Sequence, residues 1–143
     1  KPDGTPWQIG IQHPRRDDAL IGAISAVGKS VVTSGDYQRF FKDHNSARYH
    51  HILDPFTGYP ADSELVSVTI VAESSTDADA LSTMVFVAGL QRGMEMLAEL
   101  PGIEAVCIDR ELRAWVTPGL EERFHAVEGV EMQILAKEMV FEK

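Results

Sequence analysis

The run Leu65-Val66-Ser67-Val68-Thr69-Ile70-Val71-Ala72 constrains this chain most, because apolar and β-branched residues dominate it and it stops directly at a cluster of helix-starting residues. It is the clearest strand in the sequence. Ser74, Ser75 and Thr76 follow as candidate N-caps, and Asp77 and Asp79 place negative charge in the first turn, where the helix macrodipole favours it. Leu81, Met84, Val85 and Ala88 then recur at helical spacing as far as Gly89, a C-cap residue. A second helix is expected over 92–100, stopped by Pro101-Gly102, with strands at 104–108 and 113–116 joined by Asp109-Arg110-Glu111.

Upstream, Pro2, Gly4 and Pro6 make an opening turn before Trp7-Gln8-Ile9-Gly10-Ile11, which alternates as a half-buried strand does. Residues 19–27 and 29–33 read as one long bent strand or two short ones, punctuated by Ser34-Gly35-Asp36. Residues 37–41 alternate again, and 42–48 is a polar hairpin connection leading to Tyr49. The acidic stretch from Glu128 onward has no clear element. At 143 residues and 44% hydrophobic content, the chain holds one core and one domain, or part of a larger one. With helices gathered late, the fold class is α+β.

Acidic residues outnumber basic ones by 22 to 13, which argues against a nucleic-acid surface. Cys107, the single cysteine, sits between apolar residues as a buried strand thiol would, and it rules out an internal disulfide. No apolar run reaches the roughly eighteen residues of a membrane span. The chain opens without an initiator Met, so further N-terminal sequence is expected.

The densest cluster of chemistry lies in Tyr49-His50-His51-Ile52-Leu53-Asp54-Pro55-Phe56-Thr57-Gly58-Tyr59-Pro60. Pro55 lacks an amide donor and Gly58 permits a positive φ, so 54–60 reads as a tight ordered turn. His51 can act as a general base with Asp54 orienting it or binding a ligand hydroxyl; alternatively His51 bonds the turn and Asp54 closes an Asx turn before Pro55. In an extended segment His50 and His51 point to opposite sides and no third ligand has metal spacing, which disfavours zinc. Asp79 and Thr83, four apart, present oxygens on one helix face. That pair suits Mg²⁺ shared with substrate phosphates; the alternative is a carboxylate serving the helix dipole and a hydroxyl bonded to the backbone. Ser34-Gly35-Asp36 offers backbone amides to a phosphate or is simply a turn. Arg39 and Arg48 read as solvated, and Tyr37, Tyr49 and Tyr59 as packing or ligand-stacking rings.

Taken in order, residues 2–11, Ser34-Gly35-Asp36-Tyr37-Gln38-Arg39-Phe40, Tyr49 to Pro60 and Thr76-Asp77-Ala78-Asp79-Ala80-Leu81-Ser82-Thr83 resemble the C-terminal half of the ApbE-like FAD:protein FMN transferases. The likeness runs to about Phe124. The resemblance implies a mixed or antiparallel sheet with helices packed on it, in the ApbE-like, T-fold-like architecture. It implies Mg²⁺-dependent transfer of FMN from FAD to a Thr or Ser hydroxyl of a target flavoprotein, with release of AMP, or in some members hydrolysis of FAD to FMN and AMP. A non-catalytic flavin-binding domain is the reading from another class. The resemblance assigns the base to His51, metal ligation to Asp79 and Thr83, and contacts with the flavin nucleotide to Ser34, Gly35, Tyr37, His51, Asp54 and Thr57. A further backbone metal ligand, the remaining contacts to adenine and isoalloxazine, and an N-terminal lipid anchor holding the protein outside the cytoplasm are expected from sequence upstream of Lys1.

Overall fold

The computed structural model describes residues 1–44 and 48–135; part of the expected connection at 42–48 and the end of the acidic tail lie outside the described residues. All eight residues of β6 (Leu65–Ala72) are buried. The cause is its place in the fold: β6 lies between β3 (Ser30–Gly35) and β7 (Glu104–Asp109), antiparallel to both, in a sheet ordered β10-β8-β7-β6-β3. β8 (Ala114–Val116) pairs antiparallel with β7, and β10 (Met132–Ile134) pairs parallel with β8, so the sheet is mixed. On one face Val68, Ile70, Ala72, Ala105 and Cys107 share a core with Ala78, Val85 and Phe86 of α1 (Ser75–Ala88) and with Leu90 and Leu97 of α2 (Leu90–Ala98). On the other, Val66, Val71, Val106 and Ile108 pack with residues of a second, three-stranded antiparallel sheet. That sheet is ordered β1 (Trp7–Gln12), β2 (Leu20–Ala26), β9 (Phe124–Ala126). A strand covered on both faces needs apolar residues at consecutive positions, which is why β6 is so legible. A register shift between Leu65 and Ser67 puts Leu65 and Val68 in the same core.

The Ser74 hydroxyl accepts the Asp77 N–H at 3.2 Å and opens α1, and Gly89 at φ 82° closes it. α2 begins at once, two residues before the expected 92. Gly89 has no side chain with which to cap it, so the Glu64 carboxylate accepts the Leu90 N–H at 2.8 Å from another part of the chain. Residues 19–33 are two strands in different sheets rather than one bent strand, separated by a turn with Gly28 at φ 59°. Ser34 and Gly35 finish β3 instead of punctuating it. The expected strand at 37–41 is only β4 (Phe40–Lys42), paired with β5 (Arg48–His50). Tyr37 folds back over Gly35 so closely that a Cβ there would sit 2.4 Å from its ring.

The turn between β7 and β8 is closed by Asp109, 2% exposed. Its carboxylate accepts Arg113 Nε at 2.7 Å, Trp115 Nε1 at 2.9 Å and the backbone N–H groups of Glu111 and Arg113 at 3.0 and 2.9 Å. Burial pushes its pKa up, but the indole and Arg113 bonds outweigh burial and hold it below the ordinary 3.8. A depressed carboxyl contributes stability that is complete above the unfolded value and is lost as pH falls through the folded one. Cys107 is wholly buried and desolvation raises its thiol pKa, so it is an inert core residue. Asp109→Ala is expected to cost about 2–4 kcal/mol in urea denaturation at pH 7. That deficit should narrow once pH falls below about 3.8; a deficit unchanged down to pH 2 would contradict this account.

Candidate functional site

α1 and the end of β3 meet through three hydroxyls. Ser82 Oγ donates to the Asp79 carbonyl at 2.9 Å, Ser34 Oγ lies 2.7 Å from Ser82 Oγ, and Thr83 Oγ1 lies 3.2 Å from Ser34 Oγ. Each hydroxyl has one proton, which orders the chain: Ser82 to the carbonyl, Ser34 to Ser82, Thr83 to Ser34. Thr83 Oγ1, on an exposed residue, then accepts no hydrogen bond among the described residues. Asp79 and Thr83 are exposed on successive turns, and the Asp79 carboxylate has no hydrogen bond or ion pair among the described residues. Both oxygens are therefore available to a cation.

The histidine segment forms the expected turn. Asp54 N–H donates to Tyr59 O at 2.9 Å, Gly58 N–H to Asp54 O at 2.8 Å, and Gly58 takes φ 71°. Asp54 Oδ1 accepts the Phe56 N–H at 2.8 Å and Thr57 Oγ1 accepts the Tyr59 N–H at 3.2 Å. These side chains shape the loop as an Asx turn and its hydroxyl counterpart. His50 and His51 do face apart: His50 is half-buried, with Nε2 3.2 Å from Ala61 O and its ring edge-on to Phe86, while His51 is exposed. Arg39 O accepts the His51 backbone N–H at 3.1 Å and lies 3.3 Å from its Nδ1. A carbonyl can only accept, so the neutral ring carries its proton on Nδ1 and presents a free lone pair at Nε2.

Several expectations change. Of the amides of Ser34-Gly35-Asp36, that of Asp36 donates to Val66 O at 3.2 Å, and by antiparallel alternation Ser34 is the next bonded partner, to Val68, so no cradle of three free amides forms. Arg48 is not simply solvated: it pairs with Asp36 at 3.8 Å and lies over Phe40 at 4.1 Å. Tyr49 stacks on Phe41 at 5.1 Å, and Tyr37 bonds Ser67 at 3.4 Å, so both rings pack, whereas Tyr59 is exposed. Neither Ser82 nor the Asp36 carboxylate stands out in the sequence as a site group. The first shows only in its step beside Thr83, the second only in three dimensions. A cavity of about 610 Å³, lined by His13, Arg16, Leu112, Val130 and others, includes none of the expected site residues.

Residues 1–107 match the model of the ApbE family. The chain belongs to that family. The FAD:protein FMN transferase of Treponema pallidum is 42% identical over 125 residues, covering 85% of this chain and 34% of that protein. The enzyme of the same name from Klebsiella pneumoniae is 43% identical over 105 residues, covering 73% and 33%. Among solved structures, the ApbE protein of Thermotoga maritima is 42% identical with a TM-score of 0.68, over 80% of this chain and 37% of its own. The flavin transferase ApbE of Vibrio cholerae is 32% identical with a TM-score of 0.67, over 86% and 39%. This ApbE chain thus spans about a third of the length of the curated relatives it matches. Nitrogen NMR of ¹⁵N-labelled histidine at pH 8 should show His51 as the Nδ1–H tautomer; an Nε2–H spectrum would remove the carbonyl's orienting role.

Proposed function

We propose that this chain is the C-terminal part of a Mg²⁺-dependent enzyme that moves FMN from FAD onto a Thr or Ser hydroxyl of a target flavoprotein, releasing AMP. The observation that carries the reading is the pair of free oxygens on α1, the Asp79 carboxylate and Thr83 Oγ1, with the Thr83 proton already committed to Ser34. Among the described residues no three of His, Cys, Asp and Glu cluster, so a cation here draws the rest of its shell from water, backbone and substrate. That donor set fits Mg²⁺, which keeps several waters and shares its shell with phosphates. When bound, the ion supplies charge neutralisation at the phosphoryl oxygens.

The chain's own residues do the remainder. His51 Nε2 takes the proton of the acceptor hydroxyl as that oxygen bonds to the flavin-side phosphorus. The bond from that phosphorus to the bridging oxygen breaks, and the oxygen leaves with AMP. The turn from Asp54 to Gly58 shapes the wall on the flavin side. The names of the relatives support FAD as substrate and a protein as acceptor. On the family resemblance alone, we place the full-length protein outside the cytoplasm, held by a lipid anchor.

Incubating the full-length protein with FAD, Mg²⁺ and an acceptor flavoprotein should add the mass of FMN to the acceptor; free FMN with no adduct would instead make the protein a pyrophosphatase. Asp79→Ala should abolish Mg²⁺-dependent transfer with the fold intact. His51→Ala should leave FAD binding in place and slow transfer by roughly 10²–10⁴. Normal rates in either variant would take that residue out of the mechanism.

A further inference from the structure

The hairpin that delivers His51 is small. β4 and β5 have three residues each and all three of β4 are exposed, so two such strands alone do not hold a fixed orientation. Yet the backbone carbonyl that orients His51 belongs to Arg39, immediately before β4. Ile52, buried in the helix-side core, holds the far side of His51, and the exposed stem on the near side needs its own tie to the main sheets.

That tie centres on Asp36, whose side chain is only 13% exposed. Its backbone N–H is fixed to Val66 O on β6 at 3.2 Å. Its carboxylate accepts Arg15 Nη1 and Nη2 together, at 2.7 and 2.8 Å. Arg15 is itself held, with Nη1 also donating to Pro14 O at 3.1 Å and its backbone N–H donating to Nδ1 of the buried His13 at 3.1 Å. From the other side Arg48 Nη1, buried and without a hydrogen bond among the described residues, approaches Asp36 Oδ1 to 3.8 Å. The Arg48 guanidinium also covers the Phe40 ring at 4.1 Å. One carboxylate therefore reaches β5 directly through Arg48 and β4 through the ring beneath it, while its own position is set by β6 and by the β1–β2 connection. Without that negative charge, two guanidinium groups would be left close together with nothing between them.

We propose that Asp36 is a positioning residue for His51, acting through Arg48 and the β4–β5 stem rather than by touching substrate. The inference rests on the reading of His51 as the base. Asp36→Asn keeps the shape and removes the charge. In the full-length protein it should lower kcat about 10- to 100-fold, the scale of a roughly 1 Å misplacement of a reacting group. KM for FAD should stay within about twofold, because loss of the His51 imidazole itself is expected to leave FAD binding in place. Placed in a His51→Ala background, the same change should cost nothing further, since a group that only orients an absent imidazole has nothing left to act on. Arg48→Met, which cuts the tie on the hairpin side alone, should reproduce the kcat loss and serves if Asp36→Asn does not fold. Losses that multiply in the double variant, or a parental kcat in both Asp36→Asn and Arg48→Met, would overturn the inference. A parental rate in His51→Ala would instead overturn the base assignment.

Discussion

The double-sided burial of β6 is the constraint from which the rest follows. Once Val68, Ile70 and Ala72 must meet helices on one face and Val66 and Val71 must meet the second sheet on the other, α1 has to leave the end of β6 and lie back across the first face. Two buried polar residues on the strand then need partners. Thr69 finds Thr33 at 2.8 Å across the β3–β6 ladder, and Ser67 finds Tyr37 at 3.4 Å. These bonds fix the last turns of β3. Alternation along that strand sends Thr33 to one face and Ser34 to the other, where α1 lies. The Ser34, Ser82 and Thr83 contacts are thus a consequence of core packing, and the free oxygens of Asp79 and Thr83 stand on a rigid floor.

The imidazole stands on something different. His51 follows a short exposed hairpin and precedes a turn closed by Asp54 and Gly58, with Leu53, Phe56 and Tyr59 turned to solvent. Ile52, buried in the helix-side core, and the His50 ring against Phe86 hold this segment from within, and polar ties complete the anchoring. The Arg39 carbonyl sets the ring, Ala61 accepts from His50, and the Asp36 node anchors the stem. On the proposed reading, cation-holding oxygens on a helix packed into the core and a base on a tethered loop divide the labour between precision and access.

Much of the architecture was legible because its signals are local. β6 and the start of α1 were readable from consecutive apolar residues and a Ser74 cap, and the turn at 54–60 from Pro55 and Gly58. Where a partner lay far along the chain, the reading slipped. α2 starts early because Glu64 caps it, and the stretch after Glu128 contributes β10 only because β8 offers a parallel edge. β9 is three residues long and is recognisable by the fit of Phe124 against Gly22, where a Cβ would lie 2.4 Å from the ring. Tyr37 looked like the start of a strand because alternation cannot reveal a ring folding back over glycine. The site divides the same way: the spacing of Asp79 and Thr83 is local, whereas the roles of Ser82 and Asp36 depend on residues more than ten positions away.

On the mechanism proposed above, Asp79 and Thr83 hold the divalent cation in the FAD complex. Crystals of the full-length protein with FAD, grown with Mn²⁺ in place of Mg²⁺, would locate the ion by anomalous scattering. The expected peak lies within coordination distance of both the Asp79 carboxylate and Thr83 Oγ1, beside the diphosphate. A peak on other residues, with those two oxygens unligated, would contradict that mechanism.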